Sequence, residues 1–232
     1  MPAAPRFAFP PAPTPSLPVA GSEARFPVRR IYCVGQNYAA HAREMGSDPE
    51  RVPPFFFSKP ADALVPGGGS IPYPSKTSNF HHEVELVVAL GKGGANIEVG
   101  QALDHVFGYA VGIDLTRRDL QGEAREKKQP WDAAKGFDRS APCGTIHRIG
   151  EVGALAAGAI WFKVNGTTRQ SSDISDLIWP VPNVICFLSQ LFELAPGDLI
   201  YTGTPAGVGP LVKGDRGEGG IDRLGTISIE IA

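Results

Sequence analysis

His81-His82-Glu83-Val84-Glu85-Leu86-Val87-Val88-Ala89-Leu90 is the stretch from which the rest of the chain is read. From Val84 onward it is rich in β-formers and predicts a strand buried on both sides. Glu83 and Glu85 break the apolar run. Side chains two apart in a strand share a face, which sets these carboxylates about 6.6 Å apart at ~3.3 Å per residue. Two like charges so close in apolar surroundings are costly unless a cation lies between them. A divalent metal meets that need, because hard cations prefer several carboxylate oxygens. The other reading is a strand end at the surface with both glutamates in water. A third ligand elsewhere in the chain decides between the two.

The 232 residues suffice for one large domain or two small ones. A hydrophobic content of 42% with 20% charged residues describes an ordinary globular protein. The net charge of −2 gives no electrostatic case for nucleic acid or an anionic membrane. No apolar run approaches the ~20 residues of a membrane span. The 28 glycines and 22 prolines favour short strands and turns over a helical bundle. Cys33, Cys143 and Cys186 form no Cys-x-x-Cys pair and suit the reduced thiols of a cytoplasmic protein.

Upstream of the central stretch, residues 1–27 carry eight prolines and read as an extended, polyproline-like arm. Structure is expected to begin at residue 28, with a strand in the second half of 28–35. Asn37 can cap a short helix over 38–45, and Gly46 suits its stop. Within it His41 and Glu44 are three apart, so they share a face and can hydrogen-bond. A carboxylate beside an imidazole orients it and raises its basicity, as a water-activating base requires; an incidental surface pair is the alternative. Residues 47–54 are polar and suit a mobile loop. Phe55-Phe56-Phe57-Ser58-Lys59 predicts another strand, whose Lys59 is either an edge lysine or a cation facing an acidic ligand.

Downstream, residues 106–113 predict a second buried strand that ends at Asp114. Residues 116–129 read as a helix with a Thr116-x-x-Asp119 capping box, stopped by Pro130. Arg118, Gln121 and Arg125 then line one helix face beside Asp114, where a merely solvated face is the alternative. Lys135 lies among small and aromatic residues, where a cation needs an acidic neighbour or a ligand. Residues 160–170 form a hairpin with a type I′ Asn165-Gly166 turn. Residues 181–194 suit an amphipathic helix with Val184, Phe187, Leu188, Leu191 and Phe192 inward. Strands at 199–202 and 226–231 flank the glycine-rich Gly203-Thr204-Pro205-Ala206-Gly207-Val208-Gly209, which lets backbone approach a ligand closely. No repeat or linker divides the chain, so 28–232 is read as one domain.

Cys33-Val34-Gly35-x-Asn37-Tyr38, His82-Glu83-Val84-Glu85-Leu86, Gly112-Ile113-Asp114, Pro130-Trp131-x-x-x-Lys135 and Thr202-Gly203-Thr204-Pro205-x-Gly207-Val208-Gly209 together resemble the fumarylacetoacetate hydrolase family. The nearest likeness is to its short acylpyruvate hydrolases, in particular the bacterial fumarylpyruvate hydrolases of gentisate breakdown. The resemblance implies an α+β, mainly β fold: a mixed β-sheet roll or pseudo-barrel with few short helices, usually a homodimer. It implies that Glu83, Glu85 and Asp114 hold one Mg2+ or Mn2+, that His41 and Glu44 form the base, and that Lys135 is a catalytic cation beside the substrate. Arg118, Gln121 and Thr204 would touch an oxo-acid substrate, and Lys59 is placed with them. The implied reaction is hydrolysis of the C–C bond of an acylpyruvate, giving fumarate and pyruvate from fumarylpyruvate. An oxaloacetate decarboxylase, or a related lyase or isomerase of 2-oxo acids, is the alternative.

Overall fold

Val84–Leu90 is a strand in which all seven residues are buried, as expected for an apolar strand covered on both faces. The computed structural model describes residues 6–46 and 52–232. In chain order these form a hairpin of β1 (Ser16–Pro18) and β2 (Arg25–Pro27), then β3 (Arg30–Gly35), α1 (Ala39–Glu44) and β4 (Phe55–Lys59). Next come β5 (Leu64–Pro66), β6 (Gly68–Ile71), β7 (Phe80–His82), β8 (Val84–Leu90) and β9 (Val106–Ile113). The middle of the chain supplies β10 (Thr116–Arg117), α2 (Arg118–Glu126), α3 (Asp132–Lys135), β11 (Ala141–Cys143), β12 (His147–Arg148) and α4 (Ile149–Val152). It ends in β13 (Ala159–Val164), β14 (Thr167–Asp173) and α5 (Val181–Leu191), followed by β15 (Asp198–Tyr201), β16 (Gly209–Leu211), β17 (Arg216–Ile221) and β18 (Gly225–Ile231).

The largest sheet has eight strands in the order β4-β3-β15-β8-β9-β11-β5, with β12 also paired to β9. It is mixed: β15 runs parallel to β3 and β11 parallel to β5, whereas β8 is antiparallel to both β15 and β9. A five-stranded sheet, β14-β13-β17-β18-β6, and a three-stranded one, β10-β7-β16, complete the roll. The fold is thus α+β and mainly β, with few short helices.

Strand alternation explains why β8 needs cover on both sides. Val84, Leu86, Val88 and Leu90 enter one core with Phe162, Ile227 and Ile229 of the five-stranded sheet. Val87 and Ala89 enter a second core with Ile31, Leu199 and Tyr201. Leu86→Ala should therefore cost about 2–5 kcal/mol, the usual range for emptying a fully buried leucine site. Denaturant unfolding monitored by tryptophan fluorescence measures it, and a loss below about 1 kcal/mol would mean that the site collapses without a cavity.

Several local expectations are corrected. The N-terminal segment is not simply extended, because Leu17 and Phe26 face each other across the β1–β2 hairpin and join the second core with Val19 and Val28. Asn37 does not cap α1, since its side chain bridges Trp179 N, Trp179 O and the carbonyl of Thr202 at 2.8–2.9 Å. Thr116 does not cap α2 either: it lies in β10, and its hydroxyl donates to Asp114 O at 3.2 Å. Asp119 instead accepts hydrogen bonds from Thr77 Oγ1 and Ser78 N. α5 stops at Leu191, leaving Leu191 and Phe192 65% and 40% exposed. The Asn165-Gly166 turn forms as read, with both residues at positive φ. Most of the expected loop at 47–54 lies outside the described residues.

Candidate active site

The β8–β9 register assembles the acids. Glu85 stands opposite Gly112 and Val84 opposite Ile113, and one step further the amide of Asp114 donates to Glu83 O at 2.8 Å. Two neighbouring antiparallel strands therefore deliver three carboxylates to one place. Their ligand oxygens lie within 4.8 Å of one another, and none of the three residues exceeds 5% exposure. The surface reading of Glu83 and Glu85 is excluded by that burial.

Cations surround two of the three acids. Lys135 Nζ lies 2.7 Å from each of Glu83 Oε2, Asp114 Oδ2 and Thr116 Oγ1. Arg118 Nη2 donates to Glu83 Oε1. Lys59 is fully buried behind Asp114, 2.8 Å from Oδ1, and donates to the carbonyls of Leu115 and Lys135. The Lys59–Asp114 pair is an ion pair without hydrogen-bond alignment, so Asp114 Oδ1 has no hydrogen-bond partner. Burial pushes the Glu83 carboxyl up, but Lys135 and Arg118 together outweigh it and hold the group well below the usual carboxylate range. Burial would lower the Lys135 ammonium, yet Asp114 and Glu83 hold it above its ordinary value, so it stays charged.

Glu85 differs. Among the described residues no cation forms an ion pair with it, and the Gly203 amide donates to Oε2 at 2.7 Å. Burial first, and then Asp114 and Glu83, drive its pKa well above the ordinary value. An under-compensated buried carboxylate in an all-oxygen donor set fits a hard divalent cation. The three acids can hold such an ion.

The histidine–glutamate pair is built on α1. His41 Nδ1 is 3.0 Å from Glu44 Oε2, and the Gly207 amide donates to the same carboxylate at 3.2 Å and 3.3 Å. That contact assigns the proton to Nδ1 and leaves Nε2 to accept one. Gly203 and Gly207 close the loop that carries Thr204, and both need to be glycine. Gly207 has φ +95° and a Cβ there would stand 2.0 Å from Arg169 O; Gly203 has φ +101° and its Cβ would meet Asn37 Cβ at 2.8 Å.

His41, Glu83, Glu85, Arg118, Gln121, Lys135 and Thr204 all line one cavity of about 340 Å³. Glu44 and Asp114 back its wall through their hydrogen bonds. Lys59 is the exception among the expected substrate contacts, since it sits on Asp114 and not in the cavity wall.

Two participants escaped the sequence reading, Gln170 altogether and Thr116 in its role beside Lys135, whereas Gly203 and Gly207 fall in the loop read as bringing backbone close to a ligand. Gln170 is fully buried, accepts from His82 Nδ1 at 2.9 Å and Val84 N at 3.2 Å, and donates to Thr204 Oγ1 and Pro205 O. Its only signal was an amide on the inward side of a hairpin strand.

Burial lowers the His82 pKa from 6.5 to about 4 and keeps the ring neutral, outweighing the hydrogen bond to Gln170, which acts in the opposite direction. The unfolded chain, with a histidine pKa near 6.5, then binds the extra proton between those values. Stability from this group is present above pH 6.5 and falls as the pH drops toward 4, with a slope approaching about 1.4 kcal/mol per pH unit. His82→Asn keeps an N–H donor for Gln170 and removes the titration. Urea unfolding at pH 7.5 and pH 5.0 should show wild type losing about 2 kcal/mol more than the variant, and parallel losses would contradict the assignment.

A buried carboxylate trio beside a histidine–glutamate base, on a mixed β-roll, is the arrangement of a metal-dependent oxo-acid enzyme. The chain matches the fumarylacetoacetate (FAA) hydrolase C-terminal family over residues 30–232 and belongs to that family. It is similar to the crystal structure of fumarylpyruvate hydrolase from Pseudomonas aeruginosa in complex with Mn2+ and pyruvate. That chain is 53% identical, with a TM-score of 0.96 over 98% of this chain and 99% of the other. Fumarylpyruvate hydrolase of a Ralstonia species is 45% identical over 177 residues, 76% of this chain and 92% of the relative. The mitochondrial oxaloacetate tautomerase of Mus musculus is 42% identical over 203 residues, 88% of this chain and 91% of the relative.

Proposed function

We propose that this protein hydrolyses the C–C bond of an acylpyruvate, with fumarylpyruvate as the substrate and fumarate and pyruvate as the products. The observation that carries this reading is that His41, paired with Glu44, opens on the same cavity as the carboxylate trio. A site that only bound or decarboxylated an oxo acid would have no use for a water-activating base. The relatives that are fumarylpyruvate hydrolases, one of them solved with Mn2+ and pyruvate, support the same choice.

Glu83, Glu85 and Asp114 would hold Mg2+ or Mn2+, which when bound supplies a Lewis acid for the oxygens of the substrate. His41 Nε2 takes a proton from a water, while Glu44 fixes the ring through Nδ1–H and balances the imidazolium that results. The hydroxide attacks the C4 carbonyl, the C3–C4 bond breaks, and its electrons leave with the pyruvate fragment as an enolate that is then protonated at C3. Lys135, held charged, and Arg118 set positive charge where that negative charge develops. Gln121 and Thr204 offer polar contacts to the oxo acid.

The same reading assigns catalysis to residues 28–232 and includes a homodimer in the cytoplasm that serves gentisate breakdown; its support is the family resemblance. Among the described residues no helix is long and apolar enough to cross a membrane. The oxaloacetate tautomerase relative favours a second reading, chemistry on oxaloacetate without an attacking water.

One assay separates the two. Acylpyruvates and oxaloacetate are offered with Mg2+ or Mn2+, and diketo absorbance, pyruvate and CO2 are followed. Loss of diketo absorbance with stoichiometric pyruvate and carboxylic acid is expected. Turnover confined to oxaloacetate would move the assignment to the second reading.

A further inference from the structure

We propose that Arg125 recognises a second carboxylate at the far end of the substrate's acyl group, so that the enzyme selects acylpyruvates that are dicarboxylic acids. The inference rests on the hydrolase reading and narrows it to a substrate class. Arg118, Gln121 and Arg125 lie along one side of α2, and all three line the cavity. The row runs from floor to mouth: the Arg118 side chain is 12% exposed and held by Glu83, Gln121 is buried, and Arg125 is exposed.

Arg118 is already committed, donating to Glu83, Gln121 and His81. Arg125 is not. Its Nη1 donates to the carbonyl of Met45 at 3.1 Å, and among the described residues it has no carboxylate partner. That bond fixes one edge of the guanidinium at the cavity mouth and leaves Nη2 and Nε to form a fork for a planar anion. The same cavity has an apolar aromatic wall in Phe55, Phe57 and Trp131, whose rings meet edge to face, with Phe57 next to Lys135. An unsaturated carbon chain suits that wall, and a charged end suits only the arginine at the cavity mouth.

The lengths agree. Seven residues of helix place Arg125 about 10.5 Å along the axis from Arg118. A seven-carbon chain spans about 7.5 Å between its terminal carbons, from bonds of about 1.5 Å meeting near 111°. A charged hydrogen bond then adds about 2.8 Å. A dioxo acid whose first carboxylate lies on the cavity floor thus brings a carboxylate at its seventh carbon to Arg125, whereas a short acyl group stops at the aromatic wall.

The test compares fumarylpyruvate with crotonylpyruvate, in which a methyl replaces the far carboxylate on a chain of equal length. The readout is the ratio of their kcat/KM values, for wild type, Arg125→Gln and Arg125→Lys with saturating Mg2+. Glutamine retains a donor for Met45 O but no charge, and lysine retains the charge. Arg125→Gln should lower the ratio by on the order of 10- to 100-fold, carried mainly by KM of fumarylpyruvate, and lysine should restore part of it. A ratio unmoved in Arg125→Gln, with both substrates turned over, overturns the inference alone. Wild type turning over neither substrate overturns the hydrolase reading and this inference with it.

Discussion

Glu44→Gln is expected to lower acylpyruvate hydrolysis by roughly 100- to 10,000-fold, the range of a lost general base. The substitution is nearly isosteric, and an amide oxygen can still accept from Gly207 N and His41 Nδ1. What disappears is the negative charge that stabilises an imidazolium on His41. The three acids and the cavity wall are untouched, so any Mg2+-dependent rise in melting temperature should persist in the variant. Decarboxylation of oxaloacetate, which needs no activated water, should survive far better than hydrolysis. Equal losses of both activities would remove Glu44 from water activation.

The second large effect separates two ligands of the same trio by sign. Glu85→Gln and Asp114→Asn should both abolish activity at ordinary Mg2+ concentrations, because each removes a charged oxygen from a hard-cation site. Their metal-free forms should differ. Among the described residues Glu85 has no ion-pair partner, and its charge is opposed by burial, by Asp114 and by Glu83. Neutralising it should leave the metal-free protein as stable as wild type or more so. Asp114 is paired with Lys59 and Lys135. Its loss leaves two buried ammonium groups short of counter-charge, at a cost of about 3–5 kcal/mol. In wild type, metal at 100 times its Kd should add about 2.7 kcal/mol, and neither variant should show that gain. Calorimetry with Mn2+ and thermal unfolding in chelator measure both quantities. A destabilised metal-free Glu85→Gln would show that its charge is compensated after all.

These expectations could be framed early because strand periodicity is blunt and reliable. Glu83 and Glu85 at i and i+2, and Asp114 closing a second apolar run, are legible because a strand pointing side chains to alternate faces leaves few options. His41 and Glu44 are legible for the corresponding reason in a helix. Lys59 was harder. A lysine that ends an apolar strand looks the same whether it meets substrate or reaches back to an aspartate just past a strand that is not its neighbour, and only the sheet order decides. Thr116 carried a sequence signal for the wrong role, because a hydroxyl three residues before an acid marks a helix cap. Here burial beside Lys135 took the hydroxyl first. In the N-terminal segment the prolines drew the reading toward an extended arm, while Leu17, Val19 and Phe26 already marked positions that would seek a core.

The loop from Gly203 to Gly207 touches both halves of the chemistry. One end gives an amide to Glu85, and the other gives an amide to Glu44. It therefore works as a gauge block, fixing the distance between the charge that attracts a metal and the group that tunes the base. A change in its backbone would detune both at once, so little variation can accumulate there without silencing the enzyme. The outer end of the α2 face, at Arg125, and the aromatic wall bear no such joint duty. Selection for a new acyl group has room to act on those surfaces, which lets one reaction be retained while its clientele changes.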